Sequence, residues 1–216
     1  MQEERALQIF AETKAILKNL HVVYTSGLHG SEYVNKDAVY VDTEATDELC
    51  RGIAEHFQDR NVGVVVAPVE GGINLSQGVA RHLTRMTGRK VLSIYADKEG
   101  DGLVIKRGYD KYVPGKRVLI VDDVFTTGGS VKKLVEIIRR LEGKLVGIGG
   151  LCNRGGVKAE DVGETGEVPE LFALTSVQMA MYEASVCPLC KANVPITTEV
   201  GKGKEYLAKK AQEKSM

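Results

Sequence analysis

The sequence predicts an α/β fold: a mostly parallel sheet of about five strands with helices on both faces. Three observations carry that expectation. Residues 62–69, VGVVVAPV, form a near-continuous β-branched run, the pattern of a strand buried on both faces. Strand-like and helix-like segments alternate from there to about residue 177. Within that alternation, residues 118–130, VLIVDDVFTTGGS, run an apolar strand into two acids and then into a Thr/Gly turn that opens a helix. The 216 residues suffice for one well-packed domain, expected to span residues 1–216.

Taken in order, residues 4–20 place Leu7, Ile9-Phe10, Ile16-Leu17 and Leu20 at helical spacing, which predicts a leading amphipathic helix. Residues 21–41 read as two short strands around turns at Ser26-Gly27 and His29-Gly30. A helix follows over about 44–58 with Thr43 as its cap, then the 62–69 strand, then a helix ending at Gly88. Residues 91–96 form the next strand, and 97–115 a polar, Gly-rich charged stretch. A strand at 117–124, a helix over 130–142 and strands at 144–153 and 170–177 complete the alternation. The last forty residues, about 180–216 in particular, break the pattern and read as an appendage with a Lys-rich end.

Composition narrows the function classes. Lys+Arg and Asp+Glu both total 29, and a net charge of zero argues against a sequence-independent nucleic-acid binder. No apolar run approaches the roughly 20 residues of a spanning helix, and no apolar stretch follows the charged N-terminus. A cytoplasmic protein without membrane or nucleic-acid partners is expected. The four cysteines, Cys50, Cys152, Cys187 and Cys190, do not read as a disulfide framework. Cys187 and Cys190 have the spacing of half a zinc site, but no second Cys pair or paired His accompanies them. Completion by Cys50, Cys152 or a dimer partner would be required, so plain buried thiols and no protein-held metal are expected. His21, His56 and His82 read as surface or core residues, and His29 as a turn residue.

The chemistry concentrates in 118–130. An apolar strand delivers Asp122 and Asp123 at its carboxyl edge, where ligands bind in open α/β sheets. The turn that follows aims backbone N–H groups at an anion, with the helix dipole adding to the attraction. Thr126, Thr127 and Ser130 add hydroxyl donors. A phosphate cradle beside carboxylates suited to a vicinal diol describes a ribose 5-phosphate.

This stretch resembles the phosphoribosyl pyrophosphate motif of the type I phosphoribosyltransferases. The resemblance implies the core fold of that family, with a small hood built from residues of about 1–43 and from the tail. It implies phosphoribosyl pyrophosphate and a nucleobase as substrates, a homodimer, and Mg2+ held mainly through the diphosphate. Asp122 and Asp123 would bind the ribose hydroxyls and stabilise positive charge developing on the sugar. Val124, Phe125, Thr126, Thr127, Gly128, Gly129 and Ser130 would hold the 5-phosphate. The turn Glu70-Gly71-Gly72, after the 62–69 strand, would bind pyrophosphate through its amides.

Three further segments resemble orotate phosphoribosyltransferases in particular. Lys98 stands where those enzymes carry a catalytic Lys on a mobile loop. The rest of their Arg-Lys-x-x-Lys-x-His-Gly run is replaced here by Asp97-Lys98-Glu99-Gly100-Asp101-Gly102. Lys106, Arg107 and Lys111 are the nearby cations that would replace the missing charge, by position alone. Tyr33 and Lys36 lie in a segment that covers the base in those enzymes. Arg154, after Asn153 where they carry Asp, offers a guanidinium fork that suits the carboxylate of orotate, which purines lack. Orotate is therefore the expected base. A purine or xanthine enzyme, and a non-catalytic phosphoribosyl pyrophosphate sensor, stay open as alternatives.

Overall fold

The computed structural model describes residues 1–163 and 170–214. Helix α1 (Glu3–Glu12) buries Ala6, Ile9 and Phe10. It is shorter than the 4–20 helix expected. The chain leaves the helix at Thr13, Lys14 takes a φ of 54°, and β1 (Ile16–Leu17) begins instead. Two adjacent apolar residues suit a helix face or a strand equally, and here strand pairing wins.

The hood segment follows as β2 (Val22–Val23), β3 (His29–Gly30) and β4 (Tyr33–Val34), with β1 antiparallel to β4 and β2 antiparallel to β3. Residues after Asn35 form a short helix, α2 (Lys36–Val41), where a strand was expected. In α3 (Thr43–Phe57) the cap is Asp42 rather than Thr43: its Oδ1 accepts the amides of Glu44 and Ala45 at 3.1 and 3.0 Å.

The core elements are β5 (Val64–Pro68), α4 (Gly72–Thr87), β6 (Leu92–Glu99), β7 (Gly102–Val104), β8 (Arg117–Phe125), α5 (Gly129–Arg140), β9 (Lys144–Asn153), α6 (Ala159–Val162) and β10 (Leu171–Ser176). Two tail helices close the described chain, α7 (Pro188–Lys191) and α8 (Gly203–Lys214). The main sheet has the order β10-β9-β8-β5-β6-β7. Its first five strands are parallel, and β7 is an antiparallel edge strand pairing Lys98 with Leu103. The sheet thus has one strand more than expected. That strand lies in the polar 97–115 stretch, which lacks the apolar alternation that would mark it.

Period-two burial explains the unbroken apolar runs. On β5, Val65 and Ala67 join the core under α1, α3 and α4, while Val64 and Val66 join the core under α5. On β8, Leu119 and Val121 face the first core, Val118 and Ile120 the second. Helices on both faces leave no polar face on the inner strands. Because parallel strands all end on one side, the ends of β5, β6, β8 and β9 gather at a single edge.

The tail folds back over that edge. Tyr182 exchanges backbone hydrogen bonds with His29 at 2.8 and 2.9 Å, Thr197 N–H reaches His21 O at 2.8 Å, and Lys202 N–H reaches Val23 O at 2.7 Å. Residues of the tail therefore grip the β2–β3 hairpin, and hood and tail form one lid-like layer. His29, expected in a turn, lies in β3 and is fully buried in this layer. Among the described residues no helix is long and apolar enough to cross a membrane.

Candidate active site

At the shared strand edge lies a cleft of about 370 Å3. It brings together Asp122, Asp123, Val124, Thr126 and Ser130 from the β8–α5 junction, Gly71 and Gly72 after β5, Lys98 of β6 and Arg154 after β9. Tyr33 and Lys36 reach it from the hood. These residues are scattered over more than a hundred positions of sequence and meet because their strands share one direction.

The acid pair is asymmetric. Asp123 is almost fully buried, and its Oδ2 lies 2.6 Å from Lys36 Nζ while Oδ1 accepts the Val124 amide at 2.8 Å. Asp122 accepts the Asp123 amide at 2.9 Å. Burial, reinforced by the neighbouring Asp123 charge, pushes the Asp122 carboxyl up to about 8, against smaller pulls from the Asp123 amide and Lys36. For Lys36, burial lowers the basicity, but Asp123, then Asp122 and Asp37, outweigh it and raise the ammonium above its ordinary value. Lys36, expected at the base, lines the cleft with its ammonium on Asp123. Gly71 permits this closeness: a Cβ there would run into Asp123 Oδ2 and lie 2.9 Å from Lys36 Nζ.

The loop between β8 and α5 forms a smaller cup of about 50 Å3, lined by Asp122, Val124, Phe125, Thr126, Thr127, Gly128, Gly129 and Ser130. Gly128 starts α5 in the left-handed region, φ 74°, and a Cβ there would sit 2.6 Å from Val162. Gly128 has no side chain to cap the helix, and of the first-turn amides that of Gly129 bonds to Thr127 Oγ1 at 3.4 Å, so the end of the helix is suited to an anion. The Phe125 ring belongs to the core under α5; its carbonyl accepts the amides of Arg154 and Gly155 at 2.9 and 3.0 Å. That pair of bonds fastens the loop after β9 to the loop after β8. Asn153 stiffens the same loop, donating to Val157 O at 2.8 Å and accepting from Val157 N at 2.9 Å. Aspartate, an acceptor only when ionised, could not make both bonds.

Arg154 holds its guanidinium 4.7 Å over the Tyr24 ring, and its buried Nε has no hydrogen-bond partner among the described residues. It also lines an adjoining hollow of about 320 Å3 with Thr25, Ser26, Leu28 and Met181. Glu70 is exposed and does not line the cleft, unlike Gly71 and Gly72; the Val69–Glu70 peptide is cis. Lys106 and Arg107 do not supply cleft charge either. They pair with Glu99 at 2.7 Å and Asp97 at 3.5 Å, while Lys111 lies over the Tyr112 ring. Residues 97–104 form the anchored β6–β7 hairpin, whose Asp101 carbonyl accepts from Lys133. Tyr24, Thr25 and Gly201 line the cleft without having been singled out. Tyr24 and Thr25 sit beside the Ser26-Gly27 turn, a usable signal, whereas nothing local marked Gly201.

The phosphoribosyl transferase domain matches residues 39–176, more than half of the chain. The chain belongs to the phosphoribosyltransferase family. An orotate phosphoribosyltransferase from Caldicellulosiruptor saccharolyticus is 34% identical over 196 residues, covering 91% of this chain and 95% of the relative. Among solved structures, the orotate phosphoribosyltransferase of Mycobacterium tuberculosis matches with a TM-score of 0.63 at 21% identity, covering 80% of this chain and 96% of that one. The adenine phosphoribosyltransferase of Rhodothermus marinus matches with a TM-score of 0.61 at 19% identity, covering 81% and 99%. The phosphoribosyltransferase fold is thus shared by enzymes named for different bases, and the fold alone does not choose between them.

Proposed function

We propose that this phosphoribosyltransferase moves ribose 5-phosphate from phosphoribosyl pyrophosphate to orotate, forming orotidine 5′-phosphate and releasing pyrophosphate. Arg154 is the observation that carries the choice of base. A half-buried guanidinium held over Tyr24 and lining the cleft beside the acid pair suits a planar carboxylate, which its exposed nitrogens could bind. The named relatives agree with this reading.

In the reaction, the bond from the anomeric carbon to the diphosphate oxygen breaks and a bond to a ring nitrogen of the base forms. Positive charge develops on the sugar, and Asp122, then ionised by its contact with the substrate, stabilises it. Asp123, paired with Lys36, helps to orient the ribose. The α5 amides and the Thr126, Thr127 and Ser130 hydroxyls fix the 5-phosphate, so most of the rate gain comes from positioning. Asp122 is a hard oxygen donor open to the cleft, which fits a cation that arrives with its diphosphate rather than one caged by protein. Mg2+ so bound supplies charge neutralisation to the leaving group. A cytoplasmic homodimer completes the proposal.

The test is pyrophosphate release with orotate, hypoxanthine, xanthine and adenine in turn, with and without Mg2+. Turnover with orotate alone is expected. Turnover with a purine and none with orotate would overturn the reading and make the altered 97–102 segment the better guide to the base.

A further inference from the structure

Cys187 and Cys190 have partners that spacing did not reveal: His21 and His29, 166 and 161 residues away along the chain from the cysteines they approach. The four ligand atoms lie within 4.8 Å of one another. His21 Nε2 is 3.8 Å from Cys187 Sγ and 3.6 Å from Cys190 Sγ, and His29 Nδ1 is 3.4 Å from Cys190 Sγ and 2.9 Å from His21 Nε2. We propose that these side chains form a structural zinc site that staples the tail to the hood.

The spacing fits the ion. Zinc bonds of about 2.3 Å to sulfur and about 2.05 Å to nitrogen put tetrahedral S···N pairs at about 3.6 Å and N···N pairs at about 3.3 Å. The sulfur–nitrogen distances bracket that value, and the two nitrogens need to part by only about 0.4 Å. The orientation fits as well. His21 Nδ1 lies 2.7 Å from the Val194 carbonyl, so the proton sits on Nδ1 and the Nε2 lone pair points into the cluster. Cys187 caps α7 and Cys190 lies one turn on, which turns both sulfurs to the same side.

Burial makes an ion-free cluster a poor arrangement. His21 is 2% exposed, and His29 and Cys187 are fully buried. Between them, two facing imidazole nitrogens can share only one proton, and thiols are weak donors and acceptors. All four cysteines are free thiols, so no disulfide does the work. Two thiolates and two imidazoles, all from protein, leave no open position, which is the donor set of a structural zinc rather than a catalytic one.

The hood also needs such a staple. Its strands are two residues long and α7 has four residues, too little for a core of their own. Tyr24 and Thr25 lie between the two histidines in sequence and line the cleft, as does Gly201 of the tail. The ion would therefore hold the roof of the active site from outside it.

The test needs no assumption about the substrate. Untagged protein grown with zinc is desalted and its metal content measured, with about one zinc per chain expected. Protein stripped by chelator is then titrated with Co2+ and with Zn2+. Intense visible cobalt bands with a thiolate charge-transfer band, and a melting temperature restored by Zn2+, are expected. Cys187→Ser with Cys190→Ser should lose both responses, whereas Cys152→Ser should keep them. Should the double variant not fold, the cobalt spectrum of the unaltered chain decides alone. Absence of retained zinc together with a cobalt spectrum of the plain hydrated ion would overturn the proposal, as would a Cys187–Cys190 disulfide in freshly purified protein.

Discussion

Replacing Asp122 with Asn separates the stability of this protein from its chemistry. The carboxyl is raised from 3.8 to about 8 by burial and by Asp123. Between those values the folded chain keeps a proton that the unfolded chain has released, so the stability of the folded form falls as pH rises through that window. The group contributes no penalty below the window and its full penalty above it. At about 1.4 kcal/mol per pH unit the ceiling is about 5–6 kcal/mol, but Asp122 borders a cleft that water enters, and screening leaves about 1–3 kcal/mol. Asn has the same shape, can still accept the Asp123 amide through Oδ1, and cannot ionise. Asp122→Asn should therefore match wild type near pH 4 and exceed it above pH 8 by about 2–12 °C in melting temperature, at about 2–4 °C per kcal/mol for a chain of this size. Turnover should fall in the same variant, because the missing charge matters most when the sugar is cationic. The assay is thermal unfolding from pH 4 to 9 for both proteins. Parallel pH curves would refute the argument, since they would mean that Asp122 binds its proton equally in the folded and unfolded chains.

Three further outcomes are expected. Thr127→Ala should weaken phosphoribosyl pyrophosphate binding by about tenfold to a hundredfold, the value of one charge-assisted hydrogen bond at roughly 1.5–3 kcal/mol, read by calorimetry. Arg154→Ala should lower kcat/KM with orotate by several kcal/mol, roughly 3–5, because the carboxylate is left buried and unpaired. Arg154→Lys should restore only part of that loss, having no planar fork, and steady-state kinetics of both variants check this. Gly71→Ala should part Lys36 from Asp123 by filling the space where they meet, lowering kcat without unfolding the chain; unchanged kinetics would show that the pair relocates freely.

Much of the fold was legible in local pattern. The β-branched run at β5, the Gly88 stop of α4, and the strand–turn–helix of β8 and α5 each carry their own signal within a dozen residues. The acid pair and the small cup beside it were legible for the same reason: one strand and one turn supply nearly all of them. Where competing patterns overlapped, reading faltered. Ile16-Leu17 continued a helical spacing yet paired with Tyr33-Val34, and the charged residues of the β6–β7 hairpin hid an edge strand.

What depended on distance along the chain was decided only by the tertiary structure. The sequence by itself determined the parallel sheet and the strand–turn–helix that carries the acid pair, because periodicity and turn chemistry are properties of neighbouring residues. Only folding placed Lys36 on Asp123, turned Lys106 and Arg107 onto acids outside the cleft, and set Arg154 over Tyr24. The same holds for His21 and His29 beside Cys187 and Cys190. No local propensity encodes a partner 87 or 166 residues away. Such contacts follow from where parallel strands end and from the path of a tail whose backbone binds the hood rather than the sheet.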